Sequence, residues 1–259
     1  MKKETIKKLL QNLISIVVLV IVWLVASLIA NSEFLFPSPL SVVKEVCNYL
    51  VTPLFYKSVF STTIKVIVGF LISLVAGVGL AYLSFKSKAV KNLFYPLLVV
   101  MRAAPTMSIV FIALIYFSPR VSPVVVSCMV IFPVLYTSAL TGLEETDEKL
   151  IEMSKFFKVK KSDTVKNLYL PSLFERLYSD SVSALSLNVK LIIAAESWAS
   201  QVNDNLGTLL TAVKSELETA KLFALTLLAV LLSFALELLL RLVKKSILSS
   251  RRKRQCRNL

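Results

Sequence analysis

The sequence contains no histidine, 5 glycines and 3 cysteines, and its 30 basic residues outnumber 16 acidic ones. The missing histidine removes the commonest general base and metal ligand from any catalytic scheme. Cys47, Cys128 and Cys256 are scattered and odd in number, which argues against a disulfide framework or a metal cluster. The glycines, at 69, 77, 79, 142 and 207, cannot form a phosphate cradle of the Gly-x4-Gly-Lys-Ser/Thr type. Neither nucleotide hydrolysis nor Cys–His or Ser–His chemistry is expected, and neither a metal nor a cofactor.

What the chain has in excess is apolar surface: 56% of its 259 residues are hydrophobic, with a mean hydropathy of +0.74. A soluble domain would carry about 45–50%. The excess comes in blocks without charge, from Leu9 to Ser32, Val66 to Phe85, Ala103 to Pro119, Val121 to Leu143 and Leu222 to Leu236. A helix needs about 20 apolar residues to cross the hydrocarbon. One such block fits a soluble core, but five do not, so the chain reads as an all-α integral membrane protein. The first block continues to Ala30, past the length of a secretory signal, and is expected to be a retained span.

Spans are expected near 10–31, 60–85, 92–117, 122–142, 177–197 and 222–243, in a single domain over 1–259. With the N-terminus in the cytoplasm, the inner segments hold 22 of the 30 Lys/Arg and the outer loops five. That asymmetry is the positive-inside signal, and it favours an even number of spans with both ends inside. Orientation then explains the net charge of +14, which in a soluble protein would suggest nucleic acid. The basic tail, 244–259, is expected to lie on membrane lipid.

Within this plan Phe36-Pro-Ser-Pro39 interrupts helix, and Ser38 or Ser41 is placed to cap a short one running to about Leu50. Gly69, Ser73, Ala76, Gly77, Gly79 and Ala81 let the second span approach its neighbours closely. Pro96 and Pro105 predict a kinked third span around Arg102. The segment 143–176 is cytoplasmic by charge and too patterned for a passive link. Residues 144–157 predict a helix with acids in its first turn and apolar Leu150, Ile151, Met153, Phe156 and Phe157. After Lys158–Lys161, Ser162 or Asp163 is placed to cap a second short helix ending at Leu170-Pro171. Apolar faces outside the bilayer need a protein partner or the bilayer surface.

That segment resembles the cytoplasmic loop of ABC importer permeases, which reads Glu-Ala-Ala, three residues, Gly, and about a dozen more to Leu-Pro. Here the matching residues are Glu152, Met153, Ser154, Lys158 in the glycine's place, Leu170 and Pro171. Phe36–Pro39, Ser61–Phe70, Met101-Arg-Ala-Ala-Pro105 and Ala194-Ala-Glu196 through Asn205-Leu-Gly207 are similar to the nitrate/sulfonate/taurine branch. The resemblance implies a type I importer permease in the bacterial cytoplasmic membrane, paired as a homodimer. Its implied partners are an ATP-binding cassette ATPase at the loop and an extracytoplasmic solute-binding protein. If the glycine's backbone is left-handed, lysine there costs about 1–2 kcal/mol.

Ser179, Ser183, Ser186 and Lys190 share one helical face of the fifth span, with Glu196 near its outer end. A lysine inside a span usually faces a bundle interior or a water-filled cavity. Ser183, Ser186, Lys190, Glu196 and Arg102 are therefore candidates for lining a translocation path. The alternatives are a structural ion pair or snorkelling for Lys190, and headgroup anchoring for Arg102. Nitrate, a sulfonate or taurine is the first expected cargo, with a vitamin-type solute such as a thiamine precursor or riboflavin as the second. A secondary transporter predicts repeats and midplane acids, but no repeat is seen, Glu and Asp are scarce within the spans, and 144–171 would go unexplained. A membrane-embedded enzyme has no residues for its chemistry.

Overall fold

The structure, a computed structural model, describes residues 2–199 and 204–257. All regular structure in those residues is helical: α1 (Lys2–Ala30), α2 (Pro39–Val51), α3 (Pro53–Lys86), α4 (Lys88–Ala103), α5 (Thr106–Tyr116) and α6 (Ser122–Glu144) come first. They are followed by α7 (Glu148–Phe156), α8 (Lys161–Thr164), a π-helical turn (Val165–Tyr169), α9 (Leu170–Trp198), α10 (Leu206–Ser215) and α11 (Thr219–Arg257).

Among the described residues four helices have the length and apolarity to cross a membrane, over Leu13–Ala30, Pro53–Lys86, Ser122–Glu144 and Thr219–Lys244. The expected third span is not one kinked helix. It is the pair α4 and α5, bent by 101°, and it makes a fifth crossing only if counted as one. The break falls at Pro105, not at Pro96, which α4 accommodates in its interior. Pro105 has no N–H to give, and it pushes Ala104 to extended backbone (φ −64°, ψ 130°), so the helix ends there. The expected fifth span lies inside α9, whose Glu175, Arg176, Asp180, Lys190 and Glu196 leave it short of the apolarity of the other four.

The bundle is built on α3, α6 and α9. Val66, Phe70, Ser73, Gly77, Ala81 and Ser84 form the buried stripe of α3, three and four residues apart. Two of the small residues on this stripe are needed for close approach. A Cβ on Gly69 would lie 2.3 Å from Ser127 Oγ, and one on Gly77 would lie 3.0 Å from the Tyr136 backbone N. Ala76 and Gly79 face outward and do not share that role. Phe70, Ile131, Leu135, Val189 and Ile192 fill the centre. A polar knot runs through it: Asn188 donates to the Val66 carbonyl at 2.8 Å, and Ser127 Oγ donates to Asn188 Oδ1 at 2.5 Å. Both side chains are fully buried, and these bonds satisfy polar groups that the hydrocarbon would penalise.

Ser38 caps α2, accepting from Ser41 N at 3.2 Å, one of the two caps expected there. α1 is held near its C-terminal end, where Trp23 donates to the Pro37 carbonyl and packs on Phe223. α11 continues as helix to Arg257, but the side chains after Lys244 lie outside the described residues, and with them the headgroup contacts expected of the tail.

Candidate functional site: the α9 cleft and the α7–α8 segment

The polar face of α9 opens onto a cleft of about 610 Å³ between α9, α10 and α11. Ser186 and Lys190 line it with Val189, Ile193, Thr226, Ser233, Phe234 and Glu237. Lys190 is exposed and makes no ion pair among the described residues. Ser186 donates to Glu237, whose other oxygen lies 3.5 Å from Arg241. The cleft is thus an apolar trough with a free cation on one wall and a partly neutralised carboxylate on another. Ser179 and Ser183 continue the face of α9 as exposed residues outside the cleft.

The other two lining candidates are elsewhere. Arg102 borders a separate cavity of about 340 Å³ with Thr137, Thr141, Arg176 and Asp180, and it donates to the Pro133 carbonyl at 3.2 Å and to Thr137. Glu196 does not border the cleft at all, because its side chain is fully buried. One of its oxygens is 2.7 Å from Lys65 Nζ; the other accepts from Thr62 Oγ1 at 2.8 Å and from Gly207 N at 3.3 Å. Thr62 Oγ1 in turn accepts from Leu206 N at 3.0 Å. A single carboxylate therefore ties α3, α9 and the start of α10 together.

This explains why the Ala-Ala-Glu and Asn-Leu-Gly pieces occur together. A Cβ on Gly207 would lie 2.4 Å from Glu196 Cβ and 2.6 Å from the Ile193 carbonyl. Gly207→Ala is expected to destabilise the fold by about 1–3 kcal/mol through overpacking, read as a lowered melting temperature in detergent. Sequence reasoning missed Lys65 as the partner of Glu196. The signal was present, since a cation in an apolar run commonly pairs with a carboxylate from another segment.

The second part of the site is the α7–α8 segment. Asp147 caps α7, accepting from Lys149 N at 2.9 Å. None of the residues of α7 is buried. Met153 is 54% exposed, Phe156 82% and Phe157 68%. Glu152 is exposed beside them, and Ser154 is half-buried with its hydroxyl on the Ile151 carbonyl. The helix ends in two reversed bonds, Lys158 N to Lys155 O at 3.1 Å and Val159 N to Ser154 O at 2.9 Å. That is a Schellman ending, and Lys158 occupies its left-handed position with φ 51°. Lys158→Gly is expected to relieve about 1 kcal/mol of backbone strain, seen as slower proteolysis of the segment.

The second short helix does not end at Leu170-Pro171 as expected, and neither Ser162 nor Asp163 caps it. Lys160 takes the cap position without a side-chain bond. The chain then runs through the π turn straight into α9, with exposed Leu170 and Pro171 inside a continuous helical rod. The wider turn suits a proline, which has no N–H to place in the helical ladder. The N-terminal end of α9 is clamped to α6 and the residue that follows it: Ser172 donates to the Gly142 carbonyl at 2.8 Å, and Arg176 approaches Glu145 at 3.8 Å. The α7–α8 segment is thus joined, through the π turn, to the helix that carries Ser186 and Lys190. Among the described residues no group of acidic or sulfur side chains is placed to hold a metal.

Residues 69–249 match the binding-protein-dependent transport system inner membrane component family, and the chain belongs to that family. It is accordingly a multi-pass membrane component of an ABC importer, a permease and not an enzyme, with the ATPase on a separate subunit. A probable ABC transporter permease protein of Haemophilus influenzae is 23% identical over 231 residues, 88% of this chain and 93% of that protein. The formylaminopyrimidine transport permease protein ThiX of Halalkalibacterium halodurans is 24% identical over 218 residues, 82% of this chain and 86% of that one. An amino acid ABC transporter crystallised with histidines superposes with a TM-score of 0.57 at 15% identity, over 77% of this chain and 94% of its own. The MetNI methionine ABC transporter, in an inward-facing form, gives 0.56 at 17% identity over 73% and 96%. These likenesses establish an ABC importer permease fold; they do not single out the nitrate/sulfonate/taurine branch.

Proposed function

We propose that two copies of this chain form the translocation path of an ATP-driven importer for a small anion of the nitrate, sulfonate or taurine type. In this reading α1, α3, the α4–α5 pair, α6, α9 and α11 cross the membrane, and both termini are cytoplasmic. The α7–α8 segment, with Glu152, Met153, Ser154, Lys158, Leu170 and Pro171, is the coupling element that docks on the ATPase. An extracytoplasmic solute-binding protein delivers cargo at the opposite face. Ser183, Ser186 and Lys190 line the path, while Glu196 holds the helices around it.

One observation carries the coupling role: a segment that exposes Met153, Phe156 and Phe157 is continuous with the helix that bears the polar face. ATP-driven closure of the ATPases moves the segment, and the rod passes that movement to α9. Lys190 supports the anionic cargo, because an unpaired ammonium in an apolar cleft attracts negative charge. A second reading, a thiamine-precursor type of vitamin, is supported by Glu237 and the apolar lining, which suit a flat heterocycle with an amino group, and by the formylaminopyrimidine permease relative.

The test is co-expression with the neighbouring genes, followed by purification of the tagged permease in mild detergent. The proposal expects both copies of the permease and the ATPase to co-elute. A permease that elutes alone, and moves solute in liposomes without ATP, overturns it. Uptake assays with taurine and with an aminopyrimidine then separate the two cargo readings.

A further inference from the structure

Lys158 sits in a backbone conformation that glycine adopts without cost, yet the chain places a long cation there (φ 51°). Strain of this kind clusters at functional sites. The surroundings of Lys158 indicate the function. A cleft of about 450 Å³ separates α7 from α8, and Lys155, Lys158 and Lys161 all line it, together with Ser154, Thr164 and Tyr169. No carboxylate lines the cleft. Lys160 and Lys166 add two more cations close by in sequence, and none of the five lysines makes an ion pair among the described residues. Unpaired like charges around one concavity repel one another until a partner neutralises them.

We propose that the groove of the ATPase subunit presents an acidic wall that enters this cleft, and that Lys158 sets which ATPase the permease accepts. Phe156 and Phe157 fill the apolar floor of the same groove, while carboxylates on its wall meet Lys155, Lys158 and Lys161. The proposal rests on the coupling reading of the α7–α8 segment. A concave cleft fits a shaped protein ridge, whereas a bilayer surface is flat and cannot enter it. Rim charges of this sort act chiefly on association rate, partner choice and salt dependence.

The experiment measures binding of the purified ATPase to the full-length permease in nanodiscs of neutral lipid, as salt rises from about 0.05 to about 0.5 M. The parent is expected to bind less tightly as salt rises. A K155Q/K158G/K161Q variant is expected to bind about tenfold more weakly at low salt and to lose most of the salt dependence. A K158E variant is expected to bind more weakly still. An F156S/F157S variant is expected to lose affinity at every salt concentration.

If the lysine variants keep the parent's affinity and salt slope while the phenylalanine variant loses binding, the charge proposal is overturned and the coupling reading stands. If neither set changes binding, both fail. Loss of binding to phosphatidylglycerol vesicles by the lysine variants, with ATPase affinity unchanged, assigns the cations to the bilayer and also overturns the proposal. All these side chains are exposed or on the cleft surface, and matching melting temperatures certify that each variant is folded.

Discussion

Replacing Phe156 and Phe157 together with serine is expected to lower ATP-dependent uptake by about a hundredfold while leaving the melting temperature unchanged. The two rings are 82% and 68% exposed, so they contribute little to the fold of the isolated chain. They stack edge to face at 5.3 Å between centroids, forming one protruding knob. Aromatic residues that fill a partner's pocket typically cost about 2 kcal/mol or more each when truncated. Two such losses more than account for a hundredfold change. The effect should appear as lost ATPase association and as ATP hydrolysis that no longer responds to solute. An uptake rate within about threefold of the parent (about 0.6 kcal/mol) would mean that the rings touch no partner.

The second large effect concerns the buried carboxylate. Glu196→Ala leaves Lys65 with 12% of its side chain exposed and no counter-ion, and it also orphans Thr62 and the Gly207 N–H. Removing one partner of a buried pair costs about 3–5 kcal/mol, because the remaining charge is uncompensated. The expected result is little folded protein in the membrane and rapid proteolysis of what remains. Lys65→Met combined with Glu196→Leu should recover much of the loss, since apolar replacement of a buried pair is often close to neutral. If the single variant folds like the parent, water or lipid headgroups reach this pair, and the three-helix tie is not structural.

The elements most legible in the sequence were those whose signal is local. α1, α3, α6 and α11 each contain a long charge-free run, and its length alone marks them. The cap at Ser38 and the acidic first turn of α7 are written within four residues of each helix start. The α4–α5 break was half legible: two prolines announced a bend, but only packing decides that Pro96 is absorbed and Pro105 is not. The end of the second short helix was misread because Leu-Pro is an ordinary stop signal, and a π turn is invisible to a 3.6-residue period.

The site divides in the same way. Ser186 and Lys190 were found from their spacing along one helix, which is a local signal. The Lys65–Glu196 pair joins residues 131 positions apart, and no periodicity connects them. Arg102, a path candidate with headgroup anchoring as its alternative, bonds to the Pro133 carbonyl of α6 and borders a second cavity, a placement no local spacing announces. Lys158 was conspicuous only against the family's loop pattern, and its cost depended on a backbone angle that the sequence does not carry.

The most direct measurement is solute accumulation in proteoliposomes that hold this permease with its ATPase, with the binding protein added outside and ATP enclosed. Uptake that requires ATP, requires the binding protein and disappears in the Phe156/Phe157 double variant is the predicted result. Uptake that proceeds at full rate without ATP, or that the double variant leaves intact, would contradict a permease driven through the α7–α8 segment.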